Sequence, residues 1–355
     1  MQRKSLEVLK ALEDRIRNGN IGASGFLPAE RDLCQTFGIG RGALQSVFAE
    51  LTARKLIRKV PGKGMRIIFD KSGKKSRKFM LLIPQGALEV AEQFEILKGV
   101  VTAADKISAE VVLFFCNADI VDKRLASRLQ DGSLEGVILM EKFTPALHAG
   151  LEQAAVPYVI ANYENDPGEL PVVQVDFRAV GRSAGRLLVK NGFRRIGFVG
   201  GKRSAFLYRE LFAGLKGALA EDDLAPENAL VLELDHKMPD EECCRMITNM
   251  LKKHARNGLV AFFAGRDRYA KMIYKCCESL NLRIPEDVSV VGYDNISWEN
   301  GEKNGLTTIA QPVAQIGQEA FNAICSAVEL KGQGGQKMLG GELILRRSVA
   351  PAGKE

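Results

Sequence analysis

"LPAERDLCQTFGIGRGALQSVFAELTARKLIRKVPGKGMRI", running from Leu27 to Ile67, holds two short helical patterns, a glycine turn and a basic hairpin. Pro28 suits the start of a helix, where its missing N–H costs nothing, and "AERDLCQTF" sets Leu33 and Phe37 on one face. "GIG" at Gly38 to Gly40 supplies a tight turn, after which Leu44, Val47, Phe48 and Leu51 recur at helical spacing. Two helices joined by a short glycine-containing turn form a helix-turn-helix. Opposite the apolar stripe, the second helix exposes Arg41, Gly42, Gln45 and Ala49, hydrogen-bonding tips with little bulk between them, which suits a major groove. "LIRKV", "PGKG" and "MRIIF" then predict strand, turn and strand. This is a wing with Lys63 at its tip, and Lys59, Lys63 and Arg66 are placed to meet phosphates. Upstream, Leu6, Leu9, Leu12 and Ile16 predict another amphipathic helix, which "RNGNIGASG" breaks.

Charge supports a polyanion partner for this region alone. Residues 1–78 carry 18 Lys+Arg against 7 Asp+Glu, whereas the other 277 residues carry 32 against 36. A basic module therefore precedes a slightly acidic body. The seven cysteines are odd in number and have no CxxC spacing, which points to a reducing cytoplasm and away from disulfide or zinc frameworks. No apolar run is long enough to span a membrane, and the N-terminus has no signal-peptide pattern.

The opening stretch resembles the winged helix-turn-helix of the GntR family of bacterial transcription factors. That family's pattern of LPSER, VSRTTVREAL, GLI and a GKG wing stands here as LPAER, IGRGALQSVF, KLI and GKG, over about residues 5–69. The resemblance implies DNA contacts from Arg31, from Arg41, Gly42, Ala43 and Gln45, and from the wing tip Gly62, Lys63 and Gly64. Gly42 and Ala43 replace two hydroxyl residues, and Gln45 replaces a second recognition arginine. Gln pairs with adenine where Arg prefers guanine, so the operator is expected to differ from the common family pattern. For Arg31 the alternative is a bridge to an acid within the module.

"DKSGKKSRK" from Asp70 to Lys78 has no apolar residue and reads as a basic linker. Beyond it, "KFMLLIPQG", "AEVVLFFCN", "EGVILM", "VPYVIANY", "RRIGFVGG", "LVAFFAG" and "DVSVVGYD" are apolar runs separated by helix-length segments, which predicts parallel α/β sheets covered on both faces. Ligands of such sheets bind beyond the carboxyl ends of the strands, which selects Gln85, Glu141, Asn162, Arg209, Arg266, Asp267 and Asp294. There is no dinucleotide fingerprint, phosphate loop, nucleophile elbow or metal-ligand spacing, so neither an enzyme nor a cofactor is expected. His148, His236 and His254 are expected at the surface. Phe94, Phe143, Phe206 and Trp298 are candidates for stacking on a ligand ring, with core packing as the alternative.

"VQVDFRAVGRSAGRLLVKNGFRRIGFVGG", "YRELFAGLKGAL", "LRIPEDVSVVGYDNI", "LTTIAQPVAQIGQEAF" and "LILRRSVAP" resemble, in order, the effector domain of the LacI/GalR family over about residues 79–351. The resemblance implies a periplasmic-binding-protein-like body of two α/β subdomains closing on a small molecule, with Arg209 and Asp294 holding it. A structural ion pair is the alternative for each. Where that family often has Asn-Asp, this chain has Arg266-Asp267. The arginine would either favour an acidic or phosphorylated ligand, or neutralise Asp267 and block a neutral sugar.

Three parts are expected: a winged helix-turn-helix at 1–69, a basic linker at 70–78, and an effector-binding and dimerisation domain at 79–355. The expected protein is a cytoplasmic homodimeric repressor that binds palindromic operator DNA. Its sensed ligand would be a sugar or sugar derivative held by Arg209, Asp294, Arg266, Asp267, Phe94 and Glu141. The arrangement resembles the arabinose-repressor type of hybrid. The alternative is a DNA-binding regulator whose body binds a protein corepressor or has lost its ligand.

Overall fold

A computed structural model describes residues 3–18, 25–69, 77–85, 91–116, 123–130, 132–141, 145–224, 229–235, 237–255, 260–296, 305–332 and 334–350. The chain divides into two compact units between Arg77 and Lys78.

In the first unit, α1 (Arg3–Asn18) buries Val8, Leu9, Leu12 and Ile16. Leu6, expected on that stripe, is exposed. At 3.6 residues per turn it lies roughly a quarter-turn away, and Ser5 and Val8 take the inward positions. The second helix, α2 (Glu30–Phe37), buries Leu33 and ends at Gly38, whose φ of 59° lies in the left-handed region that a glycine adopts without strain. Leu44, Val47, Phe48 and Leu51 of α3 (Arg41–Ala53) close the core. The wing strands β1 (Ile57–Val60) and β2 (Gly64–Ile67) pair antiparallel, with Ile57 opposite Ile67. The segment before α2 joins them, since the Leu27 amide donates to the Met65 carbonyl at 2.8 Å. The helix breaker at 19–24 and linker residues 70–76 lie outside the described residues.

The second unit has two lobes. The first begins with β3 (Lys78–Pro84), α4 (Ala91–Lys106), β4 (Glu110–Cys116), α5 (Lys123–Gln130), β5 (Gly136–Met140), α6 (Pro145–Gln153), β6 (Tyr158–Ala161) and β7 (Val172–Val175). The second comprises α7 (Phe177–Lys190), β8 (Ile196–Gly200), α8 (Phe206–Ala220), β9 (Leu230–Glu233), α9 (Asp240–His254), β10 (Val260–Ala264), α10 (Asp267–Ser279), β11 (Val288–Asp294) and β12 (Thr307–Ala310). The chain then returns through α11 (Val313–Glu329), which packs on α4, to β13 (Lys337–Leu339) beside β7, and crosses again to β14 (Glu342–Ile344). The strand orders are β13-β7-β6-β5-β3-β4 and β14-β12-β11-β10-β8-β9, and every described pairing within them is parallel except β12 with β14.

The central strands β5, β6, β7, β8 and β10 are buried along their whole length, as their unbroken apolar runs require of sheets covered on both faces. Asp176 starts α7 by accepting a hydrogen bond from the Ala179 amide at 2.8 Å. The α7 and α8 backbones approach so closely that a Cβ on Gly181 would lie 1.9 Å from the Leu211 carbonyl oxygen.

Three expectations change. Lys78, assigned to the linker, is the first residue of β3, where it pairs with Glu110 and its carbonyl accepts from the Glu135 amide. β7, β9, β12, β13 and β14 lie outside the seven apolar runs expected as strands; β9 is a half-buried edge strand whose apolar run ends at Glu233. His148 is buried, with its ring 5.7 Å from that of Tyr158, because it lies on the inward face of α6 beside Leu147 and Leu151. His254 is half-buried, and His236 lies outside the described residues.

Candidate nucleic-acid interface and ligand cleft

On the first unit, Arg31 is exposed in the first turn of α2, and Arg41, Gly42 and Gln45 are exposed in the first turns of α3; Ala43 is half-buried. The carboxylate of Glu30 accepts from Arg41 Nε at 3.2 Å and from Gln45 Nε2 at 2.8 Å. One acid thus gathers both groups expected to read bases. The terminal nitrogens of Arg41 and the amide oxygen of Gln45 take no part in these two bonds. Arg31 forms no ion pair among the described residues. In the wing, Gly62 and Gly64 have φ of 73° and 97°, and Lys63 between them is exposed. Arg58 and Arg66 stand directly opposite each other across the strands and both are exposed. Like charges in register destabilise a hairpin on its own, and a phosphate between them removes the penalty.

In the second unit, the loops at the carboxyl ends of both sheets meet. Glu141 after β5, Asn162 after β6, and Asp294 and Asn295 at the end of β11 have φ of 62°, 61°, 113° and 61°, a left-handed conformation that side-chain-bearing residues seldom adopt. Arg266, between β10 and α10, joins the lobes. Its Nη1 donates to Asp294 Oδ1 at 2.7 Å, and its Nη2 donates to Glu164 in the loop after β6. Its guanidinium lies 5.5 Å from the Tyr293 ring centroid. Gln311, in the crossing after β12, donates to the same Asp294 oxygen at 2.7 Å.

Burial opposes the charge on Arg266, but Asp294 and Glu164 outweigh it and hold the guanidinium charged. Asp294 is pushed up to about 8, first by burial and then, against the pull of Arg266, by Asp267 and Glu92. Glu92, in the first turn of α4, is also raised, by burial and by Glu164, with Arg266 working against the shift.

The predicted residues divide. Arg266 and Asp294 come together, but Arg266 does not neutralise Asp267 as one reading had it: its fork is taken by Asp294 and Glu164. Asp267 is 1% exposed, accepts from Thr308 Oγ1 at 2.8 Å and from the Ile296 amide at 3.1 Å, and is pushed by burial to about 6. It fixes the loop after β11.

Arg209, expected to hold the ligand or to form a structural ion pair, lies in the first turn of α8, and its side chain is 50% exposed. It donates to Asp166 at 3.1 Å and to Glu210 at 3.2 Å, over the ring of Phe206. Phe206 packs edge-on against Phe177. Phe94 is 56% exposed on α4, Glu141 is half-buried, and Gln85 is exposed. Phe143 and Trp298 lie outside the described residues.

Glu92, Glu164, Asp166 and Gln311 were not selected from the sequence. Glu164 and Asp166 follow Asn162 in "NYENDPGEL", so extending the strand-end rule through the whole loop would have found them. Glu92 and Gln311 carry no comparable signal. Glu92 reads as an ordinary acid in a helix first turn.

Residues 4–67 match the bacterial regulatory proteins of the gntR family, and residues 185–349 match the periplasmic binding protein-like domain. The chain is 30% identical over 246 residues to the HTH-type transcriptional repressor PurR of Pectobacterium atrosepticum, covering 67% of this chain and 71% of that repressor. The Yersinia enterocolitica PurR is 28% identical over the same shares. Among solved structures, a LacI family transcriptional regulator from Enterococcus faecium with bound ribose superposes with a TM-score of 0.60 at 24% identity, covering 78% of this chain and all of that one. The transcriptional regulator CelR in its cellobiose complex gives 0.59 at 21%, covering 90% and 99%. Among the described residues no helix is long and apolar enough to cross a membrane.

Proposed function

Because the chain belongs to the LacI/GalR type of transcriptional regulators and carries a GntR-family winged helix at its N-terminus, we propose that it is a cytoplasmic homodimeric repressor. It binds a palindromic operator and is controlled by a small polar effector, a sugar or sugar derivative, held between the lobes of the body. The name of its PurR relatives supports repression, and the ribose and cellobiose bound by regulators of the same fold support a sugar-type effector.

One observation carries the effector reading. Arg266 of one lobe is held by Asp294 of its own lobe and by Glu164 of the other, at the carboxyl ends of two parallel sheets, where this architecture places its ligands. A molecule entering there must reorganise an ion pair that spans the lobes, which couples binding to lobe geometry. On the first unit, Arg31, Arg41, Gly42, Ala43 and Gln45 would meet DNA from the helices, and Gly62, Lys63 and Gly64 from the wing. A two-fold dimer would present two such units to a palindrome.

The experiment is thermal unfolding of the full chain against pentoses, hexoses, uronic acids, sugar phosphates and purines, with operator binding measured alongside. A ligand at a hundredfold its Kd adds about 2.7 kcal/mol of stability. A stabilising ligand that also changes operator affinity, and whose effect is lost in Asp294→Ala, supports the reading. A ligand-blind chain whose Asp294→Ala variant still responds to inducer in cells would refute it.

A further inference from the structure

Two carboxylates bind one guanidinium in the cleft, and a third lies within range of their charges. Asp294 and Glu164 are bonded to Arg266, and Glu92 from α4 lies near enough for its charge to act on Arg266 and Asp294 and to be acted on by Glu164. Glu92 is half-buried and has no hydrogen bond or ion pair among the described residues. The neighbouring cations are committed elsewhere: Arg209 to Asp166 and Glu210, and Arg346 to the Leu306 carbonyl and Asn295.

An independent observation marks the same place as unfinished. Tyr293 is 0% exposed, and its hydroxyl has no hydrogen-bond partner among the described residues. Its ring meets Phe177 edge-on, and the hydroxyl senses the charges of Asp294, Arg266, Glu164 and Glu92. A buried hydroxyl without a partner is costly, so such groups in native proteins are normally satisfied. This one faces a cluster whose remaining capacity is largely to accept hydrogen bonds at carboxylates.

We propose that the effector carries a protonated amine lying against Glu92 and Glu164, with an adjacent oxygen that accepts from the Tyr293 hydroxyl, as a cationic amino alcohol of the amino-sugar class would. This rests on the effector reading above. An anionic ligand would add charge to a cluster that already has a surplus of carboxylates, and the guanidinium fork that would receive it is bonded internally. A neutral sugar would satisfy Tyr293 but leave the charge imbalance. Burial is the first cause of the upward displacement of both Glu92 and Asp294, neighbouring acids add to it, and a cation in the cleft would oppose both.

The test compares D-glucosamine, D-galactosamine and D-mannosamine with their parent hexoses and N-acetyl forms, by thermal unfolding and calorimetry of the full chain near neutral pH. At least one hexosamine should bind roughly tenfold more tightly than both of its uncharged counterparts, the size of one charge-assisted hydrogen bond. In Glu92→Gln that preference should collapse. Glu92→Lys, which supplies the cation internally, should melt higher than the unliganded parent and lose its amine response. A parent hexose or uronic acid that binds as well as the amine would overturn the proposal and leave the effector reading standing. If no sugar, amine or acid binds and Glu92→Lys is not stabilised, both fail.

Discussion

Arg41 and Gln45 differ from Lys63 in what surrounds them. The two helix residues are drawn together by Glu30, whereas Lys63 stands alone at a wing tip. Arg41→Ala is therefore expected to weaken operator binding by about 1–3 kcal/mol and relax base preference, while Lys63→Ala weakens all sequences alike and lowers the salt slope by about one. Equal, sequence-blind losses in a binding titration would show that the roles are misassigned. Asp294 makes a prediction about pH. It keeps its proton up to about 8 in the folded body, against 3.8 for a free aspartate. Between those values the unfolded chain releases a proton that the folded chain retains, so stability falls as pH rises toward about 8 and then levels off. Asp267, raised to about 6, adds to the fall in the lower part of the range. The melting temperature should drop from about pH 6 to about pH 8 and drop less in Asp294→Asn. An identical slope in that variant would remove Asp294 as its source.

At the scale of elements, the wing sets its own stability against its affinity for a polyanion. Arg66→Ala removes a like-charge pair with Arg58, and should stabilise the first unit by about a few tenths of a kcal/mol, while weakening binding to every DNA sequence. A variant that loses both stability and affinity would contradict this. The α7–α8 contact tolerates no such change: Gly181→Ala drives a methyl group into the Leu211 backbone and should cost about 1–3 kcal/mol, read by denaturant unfolding. These elements also mark how far the sequence could be read. The α3 stripe and the central strands were legible because their burial follows a local period: 3.6 in a helix, an unbroken apolar run in a doubly covered strand. Leu6 failed because Val8 and Ser5 lie closer to the buried face. In the cleft, Arg266 and Asp294 could be found from their positions at strand ends. Extending the strand-end rule through the loop after β6 reaches Glu164 and Asp166, but not their pairing with Arg266 and Arg209, about a hundred and about forty residues away in the chain. Only the crossing of the chain between the lobes brings them near, and no local pattern encodes it.

The whole molecule is two compact units, and the body holds both sheets with all three crossings between them. Cutting after Arg77, so that Lys78 remains in β3, should leave residues 78–355 folded and cooperative, because no strand of either sheet is lost. The proposed dimer belongs to this part. Leu113 and Phe115 are exposed on the edge strand β4, as are Val101 on the neighbouring α4 and Ile107 in the turn after it. An open edge carrying apolar side chains invites pairing with another chain, and a second copy would cover it. The truncated body should therefore sediment as a dimer, and Phe115→Asp should turn it into a monomer that unfolds at a similar temperature, since this side chain is already exposed. In the full chain the same substitution should lower operator affinity far more than it lowers stability, because a monomer presents one recognition helix where a palindrome offers two half-sites. A dimer that survives Phe115→Asp would move the interface to another face, and a parent body that is monomeric at micromolar concentration would remove the dimer from the proposal.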